Sequence, residues 1–341
     1  MTAIRSRKPT GSVPWPLVLV EGAEKSGKSY ACAQFSASER VGATYWLDLG
    51  EGAADEYAAI PGARYQVLIH DGTWPQIIGQ VEAVHAEAHR ALDAGEKPVV
   101  LVVDSMTAEW DMLKDWVSTR ARSAPKARQI LAKDPDAEIR PPMNLWNDAA
   151  ERHARLMHLL MTFPGIALVT ARGKEVSSLD DNGRPIPNSK EHKVEGHKNL
   201  AFDCTAWVRL SRDAAPLVVG VRSVHAGLRP GVDKPQAEPD FSIEWLIFDL
   251  MQCDPATSRI RDHVPTQAQD YPPLTDAEVD AALAELAAAT SLEQVAEIGR
   301  SLGARVKASP RGAEIVQAAT DRKAEITVAA ELGAEQQEIP A

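Results

Sequence analysis

The sequence predicts an α/β fold: a mostly parallel sheet with helices on both faces, an antiparallel extension at one edge, and a small helical appendage at the C-terminus. Three observations carry this prediction. Short apolar runs rich in Val, Ile and Leu recur between helical patterns. The stretch Gly22-Ala-Glu-Lys-Ser-Gly27-Lys28-Ser29 joins the first run to the first helical pattern, and the composition changes after Cys253. Buried strands of a parallel sheet read as continuous apolar runs, and their alternation with helices places helices over both faces.

Taken in order, residues 17–20, 45–49, 66–69, 99–103 and 166–169 are predicted strands, with helices over 28–39, 74–94 and 146–161 among them. The runs 206–210, 217–224 and 243–248 follow without helices between them, which predicts the antiparallel extension. A tail over 1–14 precedes this core of 15–253. Residues 254–273, DPATSRIRDHVPTQAQDYPP, form a polar, proline-containing linker. Beyond it Thr275-x-x-Glu278 and Ser291-x-x-Gln294 have the form of capping boxes ahead of Ala/Leu-rich runs. These predict a helical appendage over 274–330, with a flexible tail over 331–341.

Composition bounds the function classes. The 341 residues are 44% hydrophobic and 25% charged, enough for one large core and a small second unit. No run approaches the length of a membrane span, and the basic N-terminal residues have no apolar stretch behind them, so no membrane partner is expected. Cys32, Cys204 and Cys253 match no zinc or C-x-x-C spacing and read as buried, reduced thiols. A cytoplasmic protein is expected, in the host cytoplasm if the chain is phage-encoded. The net charge of −11 opposes a surface that coats nucleic acid as a whole. Residues 274–341, with six basic and twelve acidic side chains, account for −6 of it. Local basic segments elsewhere can still meet a polyanion.

Gly22 to Ser29 fits G-x-x-x-x-G-K-[ST] in full, after a strand and before a helix. In such a loop backbone N–H groups turn inward onto phosphate oxygens, and the following helix adds its positive end. Gly22, Ala23, Glu24, Lys25, Ser26, Gly27, Lys28, Ser29 and Tyr30 are therefore the expected nucleotide-binding residues. Lys28 is assigned to the β- and γ-phosphates of ATP and Ser29 to Mg²⁺. The run Val99-Val-Leu-Val-Val-Asp104 supplies the second metal carboxylate, because Asp104 ends a buried strand where open α/β sheets bind ligands. Hydrolysis also needs a group that orients or deprotonates water. Residue 105 is Ser, so the base is sought at the acidic end of the second strand, with Glu51 first and Asp48 second.

GAEKSGKS with Glu24 at its third position, YWLDLGEGAADEY after the second strand, and VVLVVDS together resemble the ATPase core of RecA/RadA-type recombinases. The resemblance spans roughly residues 15–250 and is strongest to the compact RecA-like ATPases of bacteriophages, which are associated with recombination and single-strand annealing. It implies a RecA-like P-loop NTPase fold, with Glu51 polarising the attacking water. It also implies a γ-phosphate sensor in Ile166-Ala-Leu-Val-Thr170-Ala-Arg172, either Thr170 or Arg172. Arg222, in VGVRSVH, resembles the region of the trans-acting cations that complete a neighbour's site in a ring or filament. Single-stranded DNA is the implied partner.

Two segments are candidates for DNA contact. Residues 113–133 hold Lys114, Arg120, Arg122, Lys126, Arg128 and Lys133 against Asp115 alone. Such a segment can neutralise phosphates without reading sequence, or be a solvated helix face. The polar insertion 173–198, with Asp181-Asn182-Gly183 as a hairpin turn, offers Lys174 and Arg184. It reads as a mobile loop without an aromatic residue, so its contacts would be with the backbone, while Trp116 or Trp146 could stack elsewhere or sit in the core. The leading expectation is a DNA-stimulated ATPase. The alternatives are a helicase or packaging motor on the same fold, and a nucleotide-gated switch that docks a protein partner. In either setting the acidic appendage could bind another replication or recombination protein.

Overall fold

Strand β1 (Leu17–Gly22) has all six residues buried because it lies in the middle of the sheet of the computed structural model. The structure describes every residue except 1–3, 5, 51, 181–183, 227–231, 233, 264–271, 304 and 336–341. On one side β1 pairs in parallel with β5 (Ile166–Leu179), followed by β4 (Val100–Asp104), β2 (Thr44–Asp48) and the two-residue β3 (Gln66–Val67). On its other side comes β7 (Ala206–Leu210), also parallel, then β8 (Leu217–Val221) and β9 (Gln236–Ala237) in antiparallel order. The antiparallel edge is where the missing helices predicted it.

Side-chain alternation divides the core between the two faces of this sheet. Val18, Val20, Val100, Val102, Ile166 and Leu168 point to a layer that contains Cys32, Ala33 and Phe35 of α1 (Lys28–Phe35). Leu17, Leu19, Leu101, Val103, Ala167 and Val169 point the other way, onto α3 (Trp74–Asp93) and α6 (Met143–Met161). Between these helices in sequence lie α2 (Ala54–Tyr57), α4 (Met106–Arg122) and α5 (Pro125–Lys133). The short α7 (Leu200–Asp203) precedes β7.

Two predicted elements differ. Residues 243–248 form no strand: the chain makes a π-helical turn over Trp245–Leu250, and Ile243, Leu246, Ile247 and Met251 enter the core at helical spacing. Periodicity alone does not separate a short buried strand from a short buried helix. The insertion expected to be a mobile loop with a hairpin turn is a long two-stranded hairpin, in which β6 (Pro185–Glu195) pairs antiparallel with the distal half of β5. Its predicted turn, 181–183, lies outside the described residues.

Contacts divide the chain into two units, Met1–His263 and Val264–Ala341. Residues predicted as the start of the linker belong to the first: Trp15 N donates to Arg259 O at 2.9 Å, and Arg7 pairs with Asp262. The second unit comprises α8 (Asp276–Ala288), α9 (Leu292–Leu302), α10 (Arg305–Ala308) and α11 (Gly312–Glu335) around Leu274, Val279, Ala282, Leu286, Val295 and Ile315. Helix α11 runs past residue 330, into the stretch read as tail. Thr275 and Glu278 form a reciprocal capping box. Ser291 caps Gln294 N, but the Gln294 side chain accepts from Thr290 N rather than from Ser291.

Candidate active site

The loop between β1 and α1 curls through left-handed backbone at two places, Lys25 with φ 57° and Gly27 with φ 92°. Gly27 takes this conformation without strain, whereas Lys25 adopts it despite its side chain. Alternation of this kind turns successive N–H groups to one side, which makes a concavity for anions. Lys28 folds back across the loop, where its Nζ donates to Gly22 O at 3.1 Å and Ala23 O at 2.9 Å. The ammonium is thereby held over the concavity.

Ala23, Glu24, Lys25, Ser26, Gly27, Lys28 and Ser29 line one cavity of about 600 Å³ with Ala53, Tyr57, Asp104, Arg172, Gly173 and Glu195. That volume suits a nucleotide-sized ligand. Ser29 and Asp104 thus share one space and present a hydroxyl and a carboxylate, the hard oxygen donors that Mg²⁺ prefers. Asp104 is 2% exposed and accepts a hydrogen bond from Thr170 Oγ1.

Of the two sensor candidates, Thr170 is fully buried and turned to Asp104, while Arg172 lines the cavity. Tyr30 is 47% exposed and packs edge-on against Tyr57 with ring centroids 6.0 Å apart. Tyr57, not Tyr30, lines the cavity. Glu51 lies outside the described residues. Asp48 is the register partner of Asp104 on the neighbouring strand and accepts from Gly52 N, but it does not line the cavity. Arg222 is bonded through its backbone to Thr205 O, and Thr205 N bonds to Leu17 O at the start of β1. Arg222 therefore stands at the opposite end of β1 from this chain's own phosphate loop, and any role for it at a γ-phosphate is confined to a neighbouring copy.

A buried charge cluster fixes the end of β1. Glu21 is 0% exposed and meets Arg209 Nε of β7 at 2.5 Å and His192 Nε2 of β6 at 3.0 Å. Gly173 makes room for it, since a Cβ there would lie 1.9 Å from Glu21 Oε2. The phosphate loop, the hairpin and β7 are thus tied at one carboxylate. In the sequence Glu21 reads only as the last residue before the motif, and nothing there marks its partners.

The basic segment 113–133 forms the end of α4 and all of α5. Arg120, Arg122, Lys126 and Arg128 are exposed, and none forms an ion pair with a described residue. Arg120, Lys126 and Arg128 join Arg140 along a cleft of about 660 Å³. On the hairpin Lys174 pairs with Glu195, and Arg184 is exposed near the tip. Trp116 and Trp146 pack on the small core between α4 and α6, and Arg152 lies over the Trp116 ring at 4.4 Å.

No protein-family model matches this chain, and no curated protein matches it. Solved structures overlap it partially. One, from a structural and biochemical analysis of a prototypical ATPase of the type III secretion system of pathogenic bacteria, is 16% identical with a TM-score of 0.36. That overlap covers 60% of this chain and 55% of the other. Another, the assembled ATPase EscN of the enteropathogenic E. coli type III secretion system, is 12% identical with a TM-score of 0.33. It covers 58% of this chain and 43% of the other, so this chain spans about half the length of the two neighbours. Likeness this remote carries no information about activity.

Proposed function

We propose that this chain is a Mg²⁺-dependent, recombinase-type ATPase that acts on single-stranded DNA as a homo-oligomer. The observation that carries the ATPase part is the convergence of Lys28, Ser29, Asp104 and Arg172 on one cavity behind a phosphate-binding loop. Inward N–H groups and Lys28 hold the β- and γ-phosphates, and Arg172 adds positive charge beside them. Ser29 and Asp104 would hold Mg²⁺, which would neutralise phosphate charge. Thr170, bonded to Asp104, fixes which way that carboxylate faces.

The DNA part is supported by the exposed cations of α4 and α5, on the helix that starts just after Asp104. Cations without ion-pair partners among the described residues are available to phosphates, and such binding weakens as salt rises. A second reading, a nucleotide-gated switch that docks a protein partner, is favoured by the acidic appendage having its own core.

ATP turnover with and without single-stranded DNA, for wild type and Lys28→Ala, separates the readings. The recombinase reading expects turnover that DNA raises, DNA affinity that falls with salt, and loss of turnover by at least ~100-fold in Lys28→Ala. Reversing the charges of Arg120, Arg122 and Arg128 should lower DNA affinity and leave nucleotide binding intact. ATP turnover without DNA binding at low salt supports the partner switch.

A further inference from the structure

The nucleotide cavity contains a carboxylate that neither the phosphate loop nor the metal-side strand supplies. Glu195 ends β6, and its register partner is Arg172 on β5, itself the partner of Gly22 on β1. Gly22, Arg172 and Glu195 therefore form one row across three strands at the phosphate end. Residues directly opposite one another share a face of the sheet, and Arg172 and Glu195 both line the cavity.

The row is held to the metal side by one hydroxyl. Thr107 is 4% exposed, in the first turn of α4, three residues after Asp104. Its Oγ1 donates to Glu195 O at 2.5 Å and accepts from Arg172 N at 2.9 Å. The backbone at Glu195 is thereby fixed relative to the strand end that carries Asp104. Its side chain pairs with Lys174, two residues along β5 from Arg172, and remains 32% exposed, open to water.

Among the described residues, Glu24, Asp104 and Glu195 are the carboxylates that line the cavity. Glu24 belongs to the loop that wraps the phosphates, and Asp104 is bonded to Thr170 on the metal side. Glu195 enters from a third element, beside the cation Arg172. We propose, resting on the ATPase reading above, that Glu195 is the general base of hydrolysis. It accepts a hydrogen bond from the attacking water. As the water oxygen bonds to the γ-phosphorus, the bond from that phosphorus to the β–γ bridging oxygen breaks, and its electron pair leaves with ADP. The water proton passes to the Glu195 carboxylate and from there to the released phosphate. Arg172 lies beside the oxygens on which charge develops, and Lys174 positions the carboxylate.

The test is single-turnover hydrolysis together with equilibrium binding of a fluorescent ATP analogue, for wild type, Glu195→Gln, Glu195→Asp, Glu51→Gln and the hairpin control Glu175→Gln. Glu175 pairs with Lys190 on the exposed part of the same hairpin, so its variant reports damage to the hairpin alone. Loss of a general base costs ~100- to 10,000-fold in rate. The expected result is a loss of that size in Glu195→Gln with analogue affinity within about 3-fold of wild type, and disappearance of the acid limb of its pH–rate profile. Glu195→Asp, which keeps a carboxylate, should be intermediate, and Glu175→Gln should match wild type. The assignment is overturned if Glu195→Gln turns over at the wild-type rate, if its rate and affinity fall together, or if Glu51→Gln alone stops hydrolysis. Should Glu195→Gln fail to fold by circular dichroism, a folded Glu195→Asp with wild-type rate overturns it equally. A wild type that binds no ATP refutes the ATPase reading itself, whereas wild-type turnover with an unaffected Glu195→Gln refutes only the role of Glu195.

Discussion

At the phosphate end of the central sheet, charged groups are buried. Glu21 sits between Arg209 and His192, Asp104 accepts from Thr170, and Glu109, 0% exposed, meets His153 Nδ1 at 3.0 Å. In the appendage the ion pairs lie at the surface instead: Arg311 with Glu314 and Asp280, and Arg322 with Glu325. Burying an ion is costly unless partners surround it, while an exposed pair contributes little. The first set therefore fixes positions around a cavity at an energetic cost, and the second follows local helix rules. Removing one member of each kind should give effects of different size, and the two units offer separate readouts. All eight tryptophans fall between Trp15 and Trp245, so tryptophan fluorescence reports the core alone, whereas far-ultraviolet circular dichroism reports both.

The largest effect is expected from Arg209→Ala. It leaves Glu21 buried with His192 as its remaining partner among the described residues, and breaking a buried pair costs about 3 kcal/mol or more. Urea unfolding followed by tryptophan fluorescence should show this loss. A loss below about 1 kcal/mol would mean that water reaches Glu21, and the contrast between the two units would fail there.

Acid gives the next test. His197 packs on His153 of α6 with ring centroids 4.2 Å apart and on Trp110 of α4 at 4.9 Å, beside Lys198. Burial first, then the His153 and Lys198 charges, push its pKa down to about 4. An unfolded histidine titrates near 6.5, so between these values the unfolded chain binds more protons than the folded one. The contribution of His197 is fully present above pH ~6.5, is lost as pH falls toward 4, and changes no further below that. His197→Asn should flatten this part of the fluorescence-monitored stability profile. An unchanged slope would assign the acid sensitivity to other groups.

How much of this was legible in the sequence divides along the same line. The phosphate loop and Asp104 are readable because one chain segment supplies each, and the Thr275–Glu278 capping box because four consecutive residues contain it, whereas the Gln294 side chain turns to Thr290 instead of Ser291. Thr170 and Arg172 are read onto one strand but not told apart: residues two apart share a face, and the sequence does not say that Thr170 is covered by the core while Arg172, nearer the strand's open end, lines the cavity. The hairpin's turn is legible in Asp181-Asn182-Gly183 but its strands are not, because β6, PIPNSKEHKVE, has polar residues on both sides of its alternation and no continuous apolar side. With the strand unseen, the row that brings Glu195 opposite Arg172 could not be drawn. Glu21 lies 171 residues from His192 and 188 from Arg209, and only the fold brings it to them.

In the appendage Thr275→Ala removes the oxygen that accepts from Glu278 N, and loss of an N-cap costs ~1 kcal/mol. The dichroism-monitored transition of the appendage should shift while the fluorescence transition stays in place.

The smallest effect should come from Glu325→Gln, which opens the exposed pair with Arg322. Pairs spaced three apart on a helix contribute about 0.2–0.5 kcal/mol, and salt screens them. Arg322 has a second task, however: its Nε donates to Ala289 O at 2.8 Å, at the residue that follows α8. That bond holds α11 to the end of α8 and satisfies a carbonyl that the helix end would otherwise leave to solvent. Arg322→Gln should therefore destabilise the appendage by ~1 kcal/mol, more than Glu325→Gln. Only the Glu325→Gln effect should vanish in high salt, because the bond to the carbonyl is not an ion pair. Equal losses in the two variants, both erased by salt, would place the whole contribution of Arg322 in its surface pair.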